Sequence, residues 1–366
     1  MSACAESALD PARVPSTPGT ARPVPIPDTM RAAVFYGKGD VRVEDRPVPE
    51  PGPGEVLLRI HLCGICGSDL EAYKYGLYEP GLIIGHELAA TVAAVGPDVE
   101  GFEPGDRVTA NDVIPCGECR YCLGGRVSLC DSVTMPGVTR DGAYAEYMVV
   151  PARALYRLPE GVTFEQAALT DPSSNALHAV RRSGLTLGDR VLVVGAGPIG
   201  LLTVQAALLA GARTVIVAEM NPARARLALE LGAAAVIDPS SENLDLRVAD
   251  LTDDQGADVV FCASGSPEAM ASTFTLVRKG GVVVPIGICE QPVTADFLSL
   301  VMNELEYRGT YASYDEYGLA LDLMAQGRWR VEPLISAVIP LERIVEDGFE
   351  VLVRPDTTAA KILVRT

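Results

Sequence analysis

The segment DRVLVVGAGPIG, residues 189–200, decides the fold. It reads as a continuous apolar strand that runs straight into glycines. An apolar helix, LLTVQAALLAGA (201–212), follows, and then a second strand, TVIVAE (214–219). A second helix, PARARLALELGA (222–233), leads to strands at AAVIDP (234–239), ADVVFCAS (257–264) and GGVVVPIGI (280–288). Strands that do not alternate, separated by helices, predict a parallel sheet buried on both faces, so the fold class is α/β and doubly wound.

The glycines carry a chemical meaning in this setting. Gly195, Gly197 and Gly200, with Ala196, Pro198 and Ile199, form G-x-G-x-x-G. The motif follows a strand, opens a helix and is trailed by an acid, Glu219, at the end of the next strand. That context predicts a dinucleotide site, with backbone close to the pyrophosphate at a helix N-terminus. Glu219 can accept hydrogen bonds from ribose hydroxyls and repels a 2′-phosphate, which favours NAD over NADP.

The preceding half of the chain has a different grammar. From Met30 to about residue 170, short apolar runs such as VLLRIHL, LAATVAAV and YAEYMVV are broken by Gly and Pro turns, which predicts β structure. After about residue 315 a helix, YGLALDLMAQG, and a short β-rich tail end the sequence. GDRV occurs at 105–108 and again at 188–191, read as a shared turn-to-strand opening rather than a repeat. Residues 1–29 are rich in Pro, Ala, Ser and Thr, lack an apolar signal-peptide core and read as a disordered tail.

Charge and length narrow the function. The 366 residues suit two domains. A net charge of −18 opposes binding to nucleic acid. The apolar run at Leu201–Ala210 is too short to span a bilayer. Without an export signal the expected compartment is the reducing cytoplasm. There an odd count of nine cysteines argues for metal rather than disulfides.

Cys116, Cys119, Cys122 and Cys130 form C-x2-C-x2-C-x7-C. Four thiolates on one short lobe can close a tetrahedral zinc site with no position left for substrate, which makes it structural. An iron–sulfur cluster also takes four cysteines, but nothing else in the sequence points to electron transfer. A second set is spread more widely: Cys63, Cys66, Ser68 and Asp69 in HLCGICGSDL, His86 and Glu87 in GHE, and Asp171 and His178 in LTDPSSNALHAV. One Cys, one His and one or two carboxylates suit a catalytic zinc with an open position. Residue by residue, plainer readings stand beside that one. Cys63 is in strand register with Ile60 and Leu62 as a small core residue, and His61 and His178 suit packing or hydrogen bonding.

In order, GICGSD, GHE, GDRV, the four-cysteine lobe, GAYAEY, DPSSNALHA and GAGPIG resemble the zinc-dependent medium-chain dehydrogenase/reductase family. The pattern is most similar to the polyol branch of sorbitol, butanediol and threonine dehydrogenases. The resemblance runs from Met30 to the C-terminus. It implies a GroES-like β-rich catalytic domain from 30–172 and 316–366, with the zinc lobe at about 112–132. A Rossmann NAD-binding domain lies between, at 173–315, with the cleft at the junction. It also implies two zinc ions per chain and a homodimer or homotetramer.

By the same resemblance Cys66 and His86 match catalytic zinc ligands, Glu87 the acid beside the histidine, and Asp69 the acid that hydrogen-bonds that histidine. Ser68 matches the hydroxyl that hands on the substrate proton, Ile199 the residue behind the nicotinamide, and Arg224 an arginine over the adenine. Two positions depart from the family. Asp171 stands where polyol dehydrogenases have Glu, one methylene longer. Glu71 stands where many members have a histidine that ends the proton relay; it could relay protons, bind a substrate amine, or be a solvated acid.

The function implied is reversible oxidation of a secondary alcohol to a ketone with hydride transfer to NAD. Tyr73, Tyr75 and Tyr78, near the expected cleft, suit a polyol or cyclitol, and an amine at Glu71 would extend this to an aminocyclitol or amino sugar. A carbonyl reductase working in the opposite direction uses the same residues. A non-catalytic NAD-binding, zinc-stabilised protein would keep the glycine motif and the lobe but lose the catalytic ligands.

Overall fold

The computed structural model describes residues 25–289 and 291–366. The tail expected at residues 1–29 lies outside the described residues up to position 24, and the first strand, Thr29–Gly37, begins one residue before Met30.

The glycine-motif strand sits centrally in a six-stranded sheet. Its order is Ala235–Ile237, Thr214–Ala218, Arg190–Val194, Ala257–Cys262, Val277–Pro285, Glu306–Tyr307. Every neighbouring pair is parallel. Val191, Leu192 and Val193 are wholly buried, which explains why that strand shows no alternation. Helices Pro198–Leu209 and Pro222–Glu230 follow as expected. Four helices of the region carry no strong sequence signal and were not anticipated. They are Thr170–Ser183, Leu244–Leu251, Pro267–Leu276 and Phe297–Met302.

The β-rich part forms a second sheet of seven strands. Ile335–Pro340 and Lys361–Arg365, from the end of the chain, join Glu55–Gly64, Glu87–Val95, Arg107–Ala110 and Leu155–Arg157, while Tyr147–Pro151 pairs with Glu55–Gly64. The last strand lies directly against the strand that leads to Cys66, with Leu363 opposite Gly64 and Val364 opposite Cys63. Both GDRV copies open strands, at Arg107 and Arg190.

The two sheets are joined through one apolar core. It takes Leu62, Ala89 and Leu363 from the β-rich sheet together with Val191 and Val217 from the parallel one and Leu201 from the helix Pro198–Leu209. Trp329, the only tryptophan of the chain, is 1% exposed in that core and donates Nε1–H to Ser173 Oγ at 2.9 Å. Beside it the buried Gln205 side chain closes a two-way amide pair with the backbone of Arg330, at 2.8 and 2.9 Å. No helix among the described residues is long and apolar enough to cross a membrane.

Trp329 therefore reports on the joint between helix Thr170–Ser183 and the returning chain. Its fluorescence should be blue-shifted in the native protein and move red on unfolding. Trp329→Ala should cost about 3–5 kcal/mol of stability, measured by urea titration; a loss under about 1 kcal/mol would show that this joint bears little of the fold.

Candidate active site

Cys66 leaves the strand Glu55–Gly64 and caps the helix Gly67–Tyr75. Its backbone N–H donates to Asp69 Oδ2 at 3.1 Å, which closes the first turn and aims the cysteine off the helix end. His86 and Glu87 stand at the start of the neighbouring strand, Glu87–Val95. A ligand atom from each of Cys66, His86 and Glu87 lies within 4.8 Å of the others. His86 is 5% exposed and Glu87 1% exposed.

Glu87 has a partner that the sequence did not reveal. Both of its oxygens lie 2.7 Å from Lys361 Nζ, on the last strand. The same ammonium donates to Ile65 O at 2.8 Å. Burial alone would discharge Lys361; the carboxylate against it overrides that and holds the ammonium above the ordinary lysine range. The carboxylate fits because position 64 is glycine: a Cβ there would sit 2.1 Å from Glu87 Oε2. Gly85 does similar service at φ +94°, where a Cβ would strike the Tyr144 ring at 2.8 Å.

Asp69 is wholly buried, and the family-based expectation for it needs correcting in detail. Its Oδ1 stands 3.8 Å from His86 Nδ1, beyond hydrogen-bond reach. Oδ2 is held instead by the Tyr144 hydroxyl at 2.7 Å, from the GAYAEY motif, and by the Cys66 N–H. His86 Nδ1 and Asp69 Oδ1 are thus both buried without a partner and face each other. A small rotation of the imidazole would satisfy both, and a metal on the Cys66 side of the ring would favour it. The donor set of thiol, imidazole and carboxylate suits zinc with one position left open.

Asp171 is buried beside this trio rather than within it. It lies in the first turn of helix Thr170–Ser183, where Tyr317 donates to Oδ1 at 2.9 Å and Asn175 to Oδ2 at 3.2 Å. Sequence reasoning missed its neighbour Asp112, just ahead of the cysteine lobe. Burial, then the charge of Asp171 and a hydrogen bond to it, push the Asp112 carboxyl up to about 8.

Ser68 is half-buried, and the nearby Tyr78 hydroxyl has its pKa raised to about 12, chiefly by burial. The other two tyrosines lie elsewhere. Tyr73 stacks on Phe349 with ring centroids 5.1 Å apart and donates to Glu350, while Tyr75 is exposed. Glu71 is on the half-exposed side of its helix and pairs with Lys74 at 3.4 Å, one turn away. His61 stacks on Phe164 and bonds Thr91 at 2.6 Å, and His178 bonds Glu316 at 3.0 Å. Cys63 is wholly buried in the β-rich core.

The four lobe cysteines also converge, with their sulfurs within 4.8 Å of one another. The Cys119–Cys122 and Cys116–Cys122 sulfur distances are 3.5 and 3.9 Å. A tetrahedron with Zn–S of about 2.3 Å has edges of about 3.8 Å, so the lobe matches a closed zinc site. Backbone N–H groups already point at the sulfurs: Cys116 and Ser132 at Cys130, each at 3.3 Å, and Cys119 at Cys116, at 3.4 Å. Such donors, led by the N–H of Cys122, lower the Cys119 thiol to about 6 and favour the thiolate that a metal requires. All eight cysteines among the described residues are free.

At the glycine motif Gly195 has φ +95°, and a Cβ on Gly200 would lie 2.0 Å from Gly195 O, so the helix packs tightly on its strand. Glu219 Oε2 accepts from Ala196 N–H and Oε1 from Asn221 N–H, each at 2.7 Å. This fixes the carboxylate at the lip of the glycine turn, with lone pairs left for ribose hydroxyls. Pro198 and Ile199 open the helix, and Ile199 is half-buried. Arg224 reaches across to Ala359 O at 3.0 Å.

Residues 52–160 match the alcohol dehydrogenase GroES-like domain, and residues 198–326 match the zinc-binding dehydrogenase domain. Sorbitol dehydrogenase of Gallus gallus is 34% identical, covering 89% of this chain and 97% of that protein. L-threonine 3-dehydrogenase of Pyrococcus horikoshii is 36% identical, covering 88% and 94% respectively. A solved zinc-binding dehydrogenase from Sinorhizobium meliloti, bound to NADP, superposes with a TM-score of 0.87 at 33% identity over 92% of this chain and 99% of that one. Two domains matched in order and full-length relatives of this similarity place the chain in the zinc-dependent alcohol dehydrogenase family, as an oxidoreductase that joins a GroES-like domain to a Rossmann domain.

Proposed function

We propose that the chain oxidises a secondary alcohol of a polyol or amino alcohol to a ketone, reversibly, with NAD as hydride acceptor. The convergence of Cys66, His86 and Glu87 carries this reading. These three would hold the catalytic zinc, which when bound supplies a Lewis acid that makes the substrate hydroxyl acidic near neutral pH. Cys116, Cys119, Cys122 and Cys130 would hold the second, closed zinc.

Ser68 Oγ accepts the hydroxyl proton as it gives up its own toward solvent, with the Tyr78 hydroxyl beside it. Asp69, locked by Tyr144, faces His86 and would orient it once the imidazole closes on Oδ1. Ile199 backs the nicotinamide ring and Arg224 borders the adenosine end. Asp112 and Asp171, buried side by side near the trio, offer carboxyl oxygens that suit a substrate amine as well as polyol hydroxyls. The threonine dehydrogenase among the relatives is named for an amino alcohol, in keeping with that choice. Glu71, tied to Lys74, is the weaker candidate for binding the amine.

Zinc analysis should give about two ions per chain, one released readily by chelator. Cys66→Ser should lose the labile zinc and at least about 10³-fold of turnover while still binding NAD, as read by cofactor fluorescence. Full turnover by the zinc-stripped protein would refute the mechanism.

Glu219 supports NAD, although the Sinorhizobium meliloti neighbour carries NADP. Glu219→Ala should reduce the NAD:NADP ratio of kcat/KM by about tenfold or more, a loss of at least about 1.4 kcal/mol in discrimination. An unchanged ratio would remove Glu219 as its source.

A homo-oligomer is also part of this reading. Ile288, Phe297, Leu298, Val301 and Met302 are all exposed by about 70%, beside the edge strand Glu306–Tyr307 of the parallel sheet. Exposed apolar side chains near an open sheet edge suit a second copy related by a two-fold axis. Leu298→Glu with Val301→Glu should halve the mass measured by light scattering. An unchanged mass would move the interface elsewhere.

A further inference from the structure

Glu87 is held from two sides. Lys361 Nζ lies 2.7 Å from each of its oxygens, and a Glu87 oxygen also belongs to the cluster with Cys66 and His86. All three ammonium protons are committed, two to Glu87 and one to Ile65 O at 2.8 Å. Lys361 is 2% exposed, so water does not screen it from the cluster. Its approach is fixed as well. Ala360 N–H donates to Ser336 Oγ at 2.9 Å, Arg224 holds Ala359 O, and Asn221 donates to Thr357 O at 2.9 Å. The backbone that carries the ammonium is therefore anchored beside the carboxylate.

We propose that Lys361 is a positioning residue that sets how firmly the open site retains its metal, by sharing the Glu87 carboxylate with the ion. This rests on reading Cys66, His86 and Glu87 as the metal site. Two effects follow from the fixed ammonium. It keeps Glu87 neutralised and in place when no metal is bound. It also opposes the cation electrostatically, so the metal exchanges faster than it would on an unshared carboxylate. The Arg224 and Asn221 contacts pin the segment that carries Lys361 to the nucleotide half of the molecule.

The test uses the full chain loaded with zinc, and follows zinc transfer to a chromogenic chelator together with thermal unfolding of stripped and loaded protein. In Lys361→Met the labile zinc should leave about tenfold more slowly, as expected for removing one unit charge at ion-pair range. The stripped variant should lose much of its Tm, because Glu87 is then buried without a partner, and zinc should restore most of that loss. Lys361→Arg should return the release rate toward wild type. An equal Tm loss in stripped and loaded protein, with an unchanged release rate, would make Lys361 a purely structural partner and overturn the proposal. If Lys361→Met does not fold, Glu87→Gln is compared with Glu87→Gln/Lys361→Met, which leaves no buried charge unpaired: slower zinc release from the double variant supports the proposal, and equal rates overturn it. A wild-type chain that carries only the tightly held lobe zinc would remove the metal site itself, and the proposal with it.

Discussion

The buried pair between Glu87 and Lys361 is the constraint around which the rest of the candidate site is arranged. It joins residues 274 positions apart, at the start of one strand and the start of the last. Two ions in a dry interior are tolerated only when they meet closely and their remaining hydrogen-bond capacity is used, and removing one partner of such a pair typically costs about 3–5 kcal/mol. Here the requirement is met: three donors of one ammonium go to two carboxylate oxygens and one carbonyl. The pair can form only because the chain returns to the seven-stranded sheet after building the parallel one, and because Gly64 has no side chain to occupy the carboxylate's place. The order of elements along the chain is thus tied to the chemistry of one acid.

The two metal-suited clusters are built by opposite means. The cysteine lobe is local: four ligands within fifteen residues, oriented by backbone N–H groups of the same loop. Its geometry depends little on the sheets, so metal binding there can order the loop without strain elsewhere. The trio of Cys66, His86 and Glu87 is global. Its members come from a helix cap and a strand start and are steadied by Tyr144 on Asp69 and by Lys361. A site made this way inherits the rigidity of the sheet, which an open catalytic position needs more than a closed structural one does.

That difference also explains what was legible in the sequence. Local constraints left local signatures. The doubly wound sheet was readable from unbroken apolar strands, the nucleotide turn from glycines that sit at φ +95° at Gly195 or against backbone at Gly200, and the lobe from its cysteine spacing. Long-range constraints left none. Nothing near Lys361 marks it as buried, since its partner is assigned only by strand order. Asp112 reads as an ordinary loop acid until the fold sets it against Asp171. The helix Thr170–Ser183 carries Pro172 in its first turn, polar residues around it and no obvious cap, so its sequence resembles a loop. Tyr73 shows the converse error. Proximity in sequence to Ser68 suggested the cleft, but the helix turns its ring onto Phe349.

The charge balance at the site gives the remaining physical argument for a dication. Asp69, Glu87, Asp112 and Asp171 are all buried within one neighbourhood, beside the Cys66 thiol. Lys361 is the one buried lysine or arginine among the described residues. An interior holding so many acidic groups against one ammonium is costly unless protons or cations compensate. Part of the compensation is visible in Asp112, whose carboxyl is pushed up to about 8 by burial and by Asp171. The other part falls where a thiol, an imidazole and a carboxylate already converge. A divalent ion there would supply the missing positive charge and favour the thiolate of Cys66. It would also give His86 Nδ1 reason to close on Asp69 Oδ1 and end the one unmade contact between two buried partners of the site.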